Sequence, residues 1–291
     1  MSMDSDSQRI VELFGLLTPE LPDEETPEAD DSRIGRDTKE STELGERSLR
    51  EGDFQRAAEH YRRALNQSDD DPTEALLGLG SALECLEQSP QALRQYEKAV
   101  RIRRDNPEPY LGLSEVYKRH GRVRESIEHL KEAVRLEPTN GLYHLKLAEV
   151  LRSTGERKHA LRAIQSAVLT APDNPFFHYW MGDLLIEMKE PESALESLRA
   201  AIELSPKDDL LFVKAGIAFW QAGRAAEAIK AVRLASDLNP DKLVHYGLLE
   251  RFLRADGQAV EADLEQKRAS EMDAYDCDLV DRLCVEAGLR I

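Results

Sequence analysis

Apolar and small residues recur along this chain in two alternating sets, each with helical spacing. Counting from residue 73, positions four, seven, eight and eleven trace one helix face, and positions twenty, twenty-four and twenty-seven trace a second. The pattern restarts every 34 residues, at 107, 141, 175, 209 and 243. An earlier repeat starts at 38, offset by 35 because of one extra residue in the acidic loop before Pro72. A fixed period of this size marks a stacked-repeat architecture. It predicts seven helix-turn-helix repeats over residues 38–276.

The columns are specific. Position twenty-seven is alanine in every repeat: Ala64, Ala99, Ala133, Ala167, Ala201, Ala235 and Ala269. Position twenty is alanine in all but one, the exception being Ser126. Position eight is small in six repeats, with Glu250 departing from the rule. Small side chains at these places let two helix backbones approach closely. Between the helices a turn carries Gly52, Gly121, Gly155, Gly223 and Gly257, where glycine takes the left-handed conformation that ends a helix. Glu87 and Lys189 break that column, and a slightly different turn is expected there. Pro138, Pro172, Pro206 and Pro240 stand at position thirty-two and stop the second helix.

With its leucine–small pair at positions seven and eight, its two alanine columns and its terminal proline, the chain resembles the tetratricopeptide repeat family over about residues 38–276. The resemblance implies an all-α, right-handed α-solenoid. It also implies that the first helices line a concave groove, with positions two, five, six, nine, twelve and thirteen touching a bound peptide. A further window would open at Cys277, placing Val280, Leu283, Cys284 and Ala287 on positions four, seven, eight and eleven. Residues 277–291 are therefore expected to supply the first helix of an eighth repeat, as a C-terminal capping helix over an otherwise open apolar end.

Charge narrows the partners. The chain carries 56 acidic and 39 basic side chains, a net charge of −17. That excess repels phosphate backbones and anionic membranes, so nucleic acid and direct membrane insertion are set aside. Residues 1–40 hold 12 acids and 4 bases, so much of the excess lies at the N-terminus. Cys85, Cys277 and Cys284 form no disulfide framework, no stretch is long and apolar enough to span a bilayer, and a cytoplasmic location is expected. Residues 1–37 read as an acidic, disordered tail with a short amphipathic helix at 8–17. Its stripe of Ile10, Phe14 and Leu17 is a candidate docking motif for another molecule, a second copy or this chain's own groove. A frayed terminus without a role is the competing reading.

No catalytic or cofactor motif is present. There is no GxSxG elbow, no phosphate-cradling GxxxxGK[ST], no GxGxxG and no HExxH. Gly78 and Gly80 belong to a packing helix. His144 and His178 share position four, which ordinarily holds a bulky packing residue, and no metal site is assigned. No enzyme activity and no cofactor is expected.

The groove positions are uneven along the chain. Early repeats offer acids: Glu43, Glu46, Glu74, Glu84, Glu108 and Glu115. Later ones bring Phe176, Tyr179, Trp180, Asp183 and Ile186, then Val213, Lys214, Ile217 and Trp220, with Arg251 and Arg254 at the border. Aromatic and basic residues dominate binding energy at interfaces, so this is the candidate partner-binding groove, suited to a peptide or helix with apolar anchors. The competing reading is that several of these side chains pack against neighbouring first helices. No repeat carries the lysine at five and asparagine at nine with which co-chaperone members of the family grip an acidic C-terminus. The function expected is a non-catalytic scaffold or adaptor; the alternative is a regulatory subunit of a partner enzyme.

Overall fold

The computed structural model describes residues 32–67, 71–270 and 277–289, with side chains from residue 38 onward and from 279 in the last segment. The N-terminal stripe of Ile10, Phe14 and Leu17 lies outside the described residues. Those residues form fifteen α-helices and no strand. The first seven are α1 (Ser32–Arg50), α2 (Phe54–Gln67), α3 (Thr73–Cys85), α4 (Ser89–Ile102), α5 (Glu108–Arg119), α6 (Val123–Leu136) and α7 (Gly141–Ser153). The rest are α8 (Arg157–Thr170), α9 (Pro175–Glu187), α10 (Pro191–Leu204), α11 (Asp209–Gln221), α12 (Ala225–Leu238), α13 (Leu243–Ala255), α14 (Ala259–Ser270) and α15 (Cys277–Ala287). Odd-numbered helices from α1 to α13 are the first helices of repeats one to seven. Helix α1 begins at Ser32, so the last six residues assigned to the tail are helical instead. Pro27 is the nearest upstream helix breaker, and no proline interrupts the chain from there to Arg50.

The chain divides into two compact parts between Pro138 and Thr139. In the first part each helix packs on the next from α1 to α6, and α1 touches α3 as α3 touches α5. In the second part the same succession runs from α7 to α14, and α9 touches α11. The alanine columns lie at these crossings: the position-twenty residues and all but the last of the position-twenty-seven alanines are fully buried.

Large residues at position twenty-four choose their neighbours. Tyr61 packs where Gly45 and Gly78 leave room, since a Cβ on Gly78 would stand 2.2 Å from the Tyr61 ring. Tyr96 sits likewise against Gly80 and Gly112, where added Cβ atoms would fall within 2.5–2.6 Å of its ring.

The helix ends follow one recipe. At position thirty-four Asp71, Asn106, Asn140, Asn174 and Asp208 each accept a hydrogen bond from the backbone N–H two residues on, satisfying an orphan donor of the following helix. The first-helix C-termini close in Schellman turns, with Asp53 N–H donating to Ser48 O and Arg122 N–H to Tyr117 O. Glu87 and Lys189 do not make a different turn. Their φ angles are 59° and 60°, and the same bonds form, from Gln88 N–H to Leu83 O and from Glu190 N–H to Leu185 O. Repeat packing fixes where the second helix must start, so a left-handed residue is imposed even without glycine.

That conformation costs a residue bearing a Cβ about 1 kcal/mol or more. Glu87→Gly is therefore expected to raise stability by about 1 kcal/mol, read as a higher denaturant midpoint at unchanged slope. A lower midpoint would show that Glu87 makes a compensating contact.

Candidate functional site

The first-helix face differs between the two parts. In the N-terminal part it is lined by carboxylates. Burial, reinforced by Glu74, raises Glu46 and Glu108 above the ordinary carboxylate range. Glu84 is pushed to about 7, chiefly by burial and against the pull of Arg119. The Tyr96 hydroxyl donates to Glu84 Oε2 at 3.0 Å, and Arg119 Nη1 donates to the Glu84 carbonyl at 3.1 Å.

In the C-terminal part the same face is occupied. Helix α15 lies across α11 and α13, the first helices of repeats six and seven. Its residues Val280, Leu283, Cys284 and Ala287 join the core formed with Ile186, Ile217, Leu249 and Phe252. Burial raises the Cys284 thiol to about 11. Polar contacts anchor both ends of the helix. Near its start Asp281 Oδ1 accepts from Arg251 Nη2 at 3.0 Å. Near its end Lys214 Nζ donates to Glu286 Oε1 at 2.8 Å and also lies 2.6 Å from Asp183 Oδ1. The carbonyl of Glu286, an orphan of the last turn, accepts from Lys189 Nζ at 3.0 Å and Gln221 Nε2 at 2.7 Å. The side chains of Lys214 and Asp183 are only 11% and 8% exposed. Burial alone would pull the Lys214 ammonium down, but Asp183 and Glu286 outweigh it and hold the ammonium above its usual range.

A family model described as "Tetratricopeptide repeat" matches residues 42–109, 111–176, 145–209 and 179–242. The chain belongs to the tetratricopeptide repeat family. Among solved structures, a tetratricopeptide repeat protein from Parabacteroides merdae is similar at 15% identity and TM-score 0.59, over 87% of this chain and 100% of that one. YrrB, described as a tetratricopeptide repeat protein with an unusual peptide-binding site, matches at 23% identity and TM-score 0.54, over 65% of this chain and 97% of its own. The Cut9–Hcn1 hetero-tetramer of APC/C matches at 18% identity and TM-score 0.57, over 76% and 44%. At these identities the likeness is one of fold. No curated protein matches the sequence.

The expected groove residues take several different settings in this tetratricopeptide repeat fold. Ile186, Val213 and Ile217 are 0%, 3% and 0% exposed, so with α15 in place they belong to the core and not to an open groove. Val213 and Ile217 lie on α11, which packs on α12 and carries α15. Trp220 also departs from an open groove position: its ring stacks on the buried Phe252 ring at 4.5 Å between centroids. Asp183, Lys214 and Arg251 lie on the face, engaged with one another or with α15 as described. Arg254 instead donates to Glu250 at 2.6 Å and Asp263 at 3.0 Å, tying α13 to α14. This pairing, with Arg251, accommodates the buried Glu250 where other repeats place a small residue.

Phe176 remains open at 48% exposure, with half-buried Tyr179 and Trp180 beside it. Arg152 lies over the Trp180 ring at 5.2 Å and bonds Asp183 Oδ2 at 2.7 Å and Glu187. Sequence reasoning missed Lys189, Gln221, Asp281 and Glu286. The one available signal was Lys189, a lysine in a glycine column. The seat of α15 also differs from the eighth-repeat position expected for it. The helix exists at the predicted residues and buries the predicted stripe, yet against α11 and α13, where Lys214, Arg251, Lys189 and Gln221 offer its polar groups partners. His178 caps locally, with Nε2 2.8 Å from Pro172 O. Among the described residues no group of three or more His, Cys, Asp or Glu is placed to hold a metal ion, and no helix is long and apolar enough to cross a membrane.

Two outcomes follow from this geometry. A carboxyl with a raised native pKa binds its proton more tightly when folded, so Glu84 stabilises least above pH 7 and stability is lost as pH rises from about 4.5 through about 7. Glu84→Gln should flatten that slope and add on the order of 2 kcal/mol at pH 8. A variant with the wild-type pH profile would show that Glu84 titrates normally. Trp220→Ala should cost about 2–3 kcal/mol through lost packing on Phe252. Unchanged thermal unfolding would return Trp220 to the exposed face.

Proposed function

We propose that this chain is a non-catalytic protein–protein interaction scaffold that holds a peptide or helix of a partner on the first-helix face of its C-terminal part. The observation that carries this reading is the seat itself. Apolar walls from α11 and α13 are edged by Lys214, Arg251, Lys189 and Gln221, and a helix lies in it. Phe176, Tyr179 and Trp180 extend an aromatic surface along the neighbouring first helix. Aromatic side chains half-buried beside a cation are the kind that dominate binding energy. The peptide-binding site attributed to YrrB lends the fold a precedent. A cytoplasmic setting belongs to the same reading, supported by the free thiols of Cys85 and Cys284.

A photo-reactive residue at Phe176 in cells is expected to capture a partner protein, and the same residue at Leu169 is not. Leu169 is 82% exposed, on the second helix of repeat four. With the captured partner purified, Phe176→Ala should weaken binding at least tenfold, about 1.4 kcal/mol, and Leu169→Ala should leave it unchanged. Equal binding by both variants would remove this face from consideration.

A further inference from the structure

We propose that α15 is a releasable latch on the recognition face, and that the partner this face takes is an amphipathic helix of α15's own chemistry. Such a helix is apolar at i, i+3, i+4 and i+7 and carries carboxylates at i+1 and i+6. This rests on reading the first-helix face as the interaction surface, and it adds the partner's chemistry and the means of control.

Three observations support release. First, most polar groups that α15 engages have a second partner within the repeats. Lys214 keeps Asp183 at 2.6 Å, Arg251 keeps Glu250 at 3.5 Å, and Gln221 Nε2 keeps the Ile186 carbonyl at 3.3 Å. The face therefore stays electrostatically satisfied when the helix leaves. An integral core helix would leave buried charges stranded. Second, the apolar contribution has no aromatic anchor: Val280, Leu283, Cys284 and Ala287 are buried, with Leu279 and Leu289 only partly buried against the same core. Third, α15 lies on first helices at a place other than the next step of the stack. Its loss uncovers a face and breaks no repeat-to-repeat contact.

Chemistry defines the competitor. The seat reads an apolar stripe of one and a half turns or more, a carboxylate near the helix start for Arg251, and a second near its end for Lys214. Lys189 and Gln221 then receive the C-terminal carbonyl, which the helix dipole makes the natural target of a cation. A partner helix that also reaches Phe176, Tyr179 and Trp180 gains aromatic contacts that α15 does not supply to the exposed Phe176 ring. A tethered helix competes at high effective concentration, so an external helix must exceed it in contacts.

The test uses a fluorescent synthetic peptide of residues 275–291 under reducing conditions, titrated onto the full-length chain and onto its full-length Val280→Asp/Leu283→Asp variant. These substitutions place charges on the docked stripe and leave the repeats intact. The variant is expected to bind the peptide at least tenfold more tightly than wild type, because apparent affinity scales with the fraction of seats left open. A peptide with Gln in place of Glu286 should bind the variant more weakly. Equal or absent uptake by a variant that keeps its helical signal and cooperative unfolding would overturn the latch.

Amide exchange on the unaltered chain keeps the test decisive should the variant not fold. Amides of 279–289 are expected to exchange at least tenfold faster than those in α11 and α13, through an opening that spares the repeats. Exchange in step with α13 would make α15 an integral element and overturn the proposal. So would a stable dimer in solution with residue 283 cross-linked to residue 249 of a second copy, which would mean exchange between copies. Failure of the peptide test, with the Phe176 effect on partner binding intact, would sink only the latch.

Discussion

Everything in this molecule depends on how closely two helix backbones can approach. Position twenty holds alanine or serine and position twenty-seven alanine, all buried at the crossings, and no larger side chain fits without pushing helices apart. The same constraint reaches the first-helix face through position twenty-four. Where that position is Tyr61 or Tyr96, position six of the following repeat must be glycine, as at Gly78 and Gly112, and contributes no side chain. Where it is Ile164 or Leu198, the following position six carries Trp180 or Lys214. Core size thus decides which repeats can present chemistry at position six.

Charge then divides the two faces. In the N-terminal part, carboxylates crowd one another and burial holds Glu84 near neutrality, so this face resists further acid. In the C-terminal part, Lys214 is nearly buried, and Asp183 and Glu286 outweigh that burial and hold its ammonium above the usual range. Desolvating an ammonium is costly unless its partners are fixed, and here one is fixed in α9. The pairing with Asp183 prepares the site, and a second carboxylate arriving on a helix completes it.

The repeat architecture was legible because it rests on columns, and columns survive variation at single positions. The groove was less so. Periodicity assigns Ile186, Val213 and Ile217 to ligand-facing positions, but packing on neighbouring helices and on the added helix buries them, and neither is written in the spacing within one repeat. Helix α15 shows the limit most clearly. Its stripe of Val280, Leu283, Cys284 and Ala287 announces a buried face without saying which surface covers it. Its seat depends on residues 60 to 100 positions away in sequence, such as Lys189, Lys214 and Gln221, that no local pattern links to it.

Two non-glycine residues with the same backbone strain sharpen this point. Glu87 and Lys189 both hold φ near +60°, and both turns close with the same hydrogen bonds. Glycine would relieve either one. At 87 the side chain is exposed to solvent. At 189 the side chain donates to the Glu286 carbonyl, so a residue that is unfavourable for the turn is favourable for the helix docked above it. Backbone strain retained where a side chain reaches another element points to a contact that outweighs it. By that argument the seat of α15 is written into the repeats as well as into the helix. It belongs to the face whether its occupant comes from this chain or from a partner.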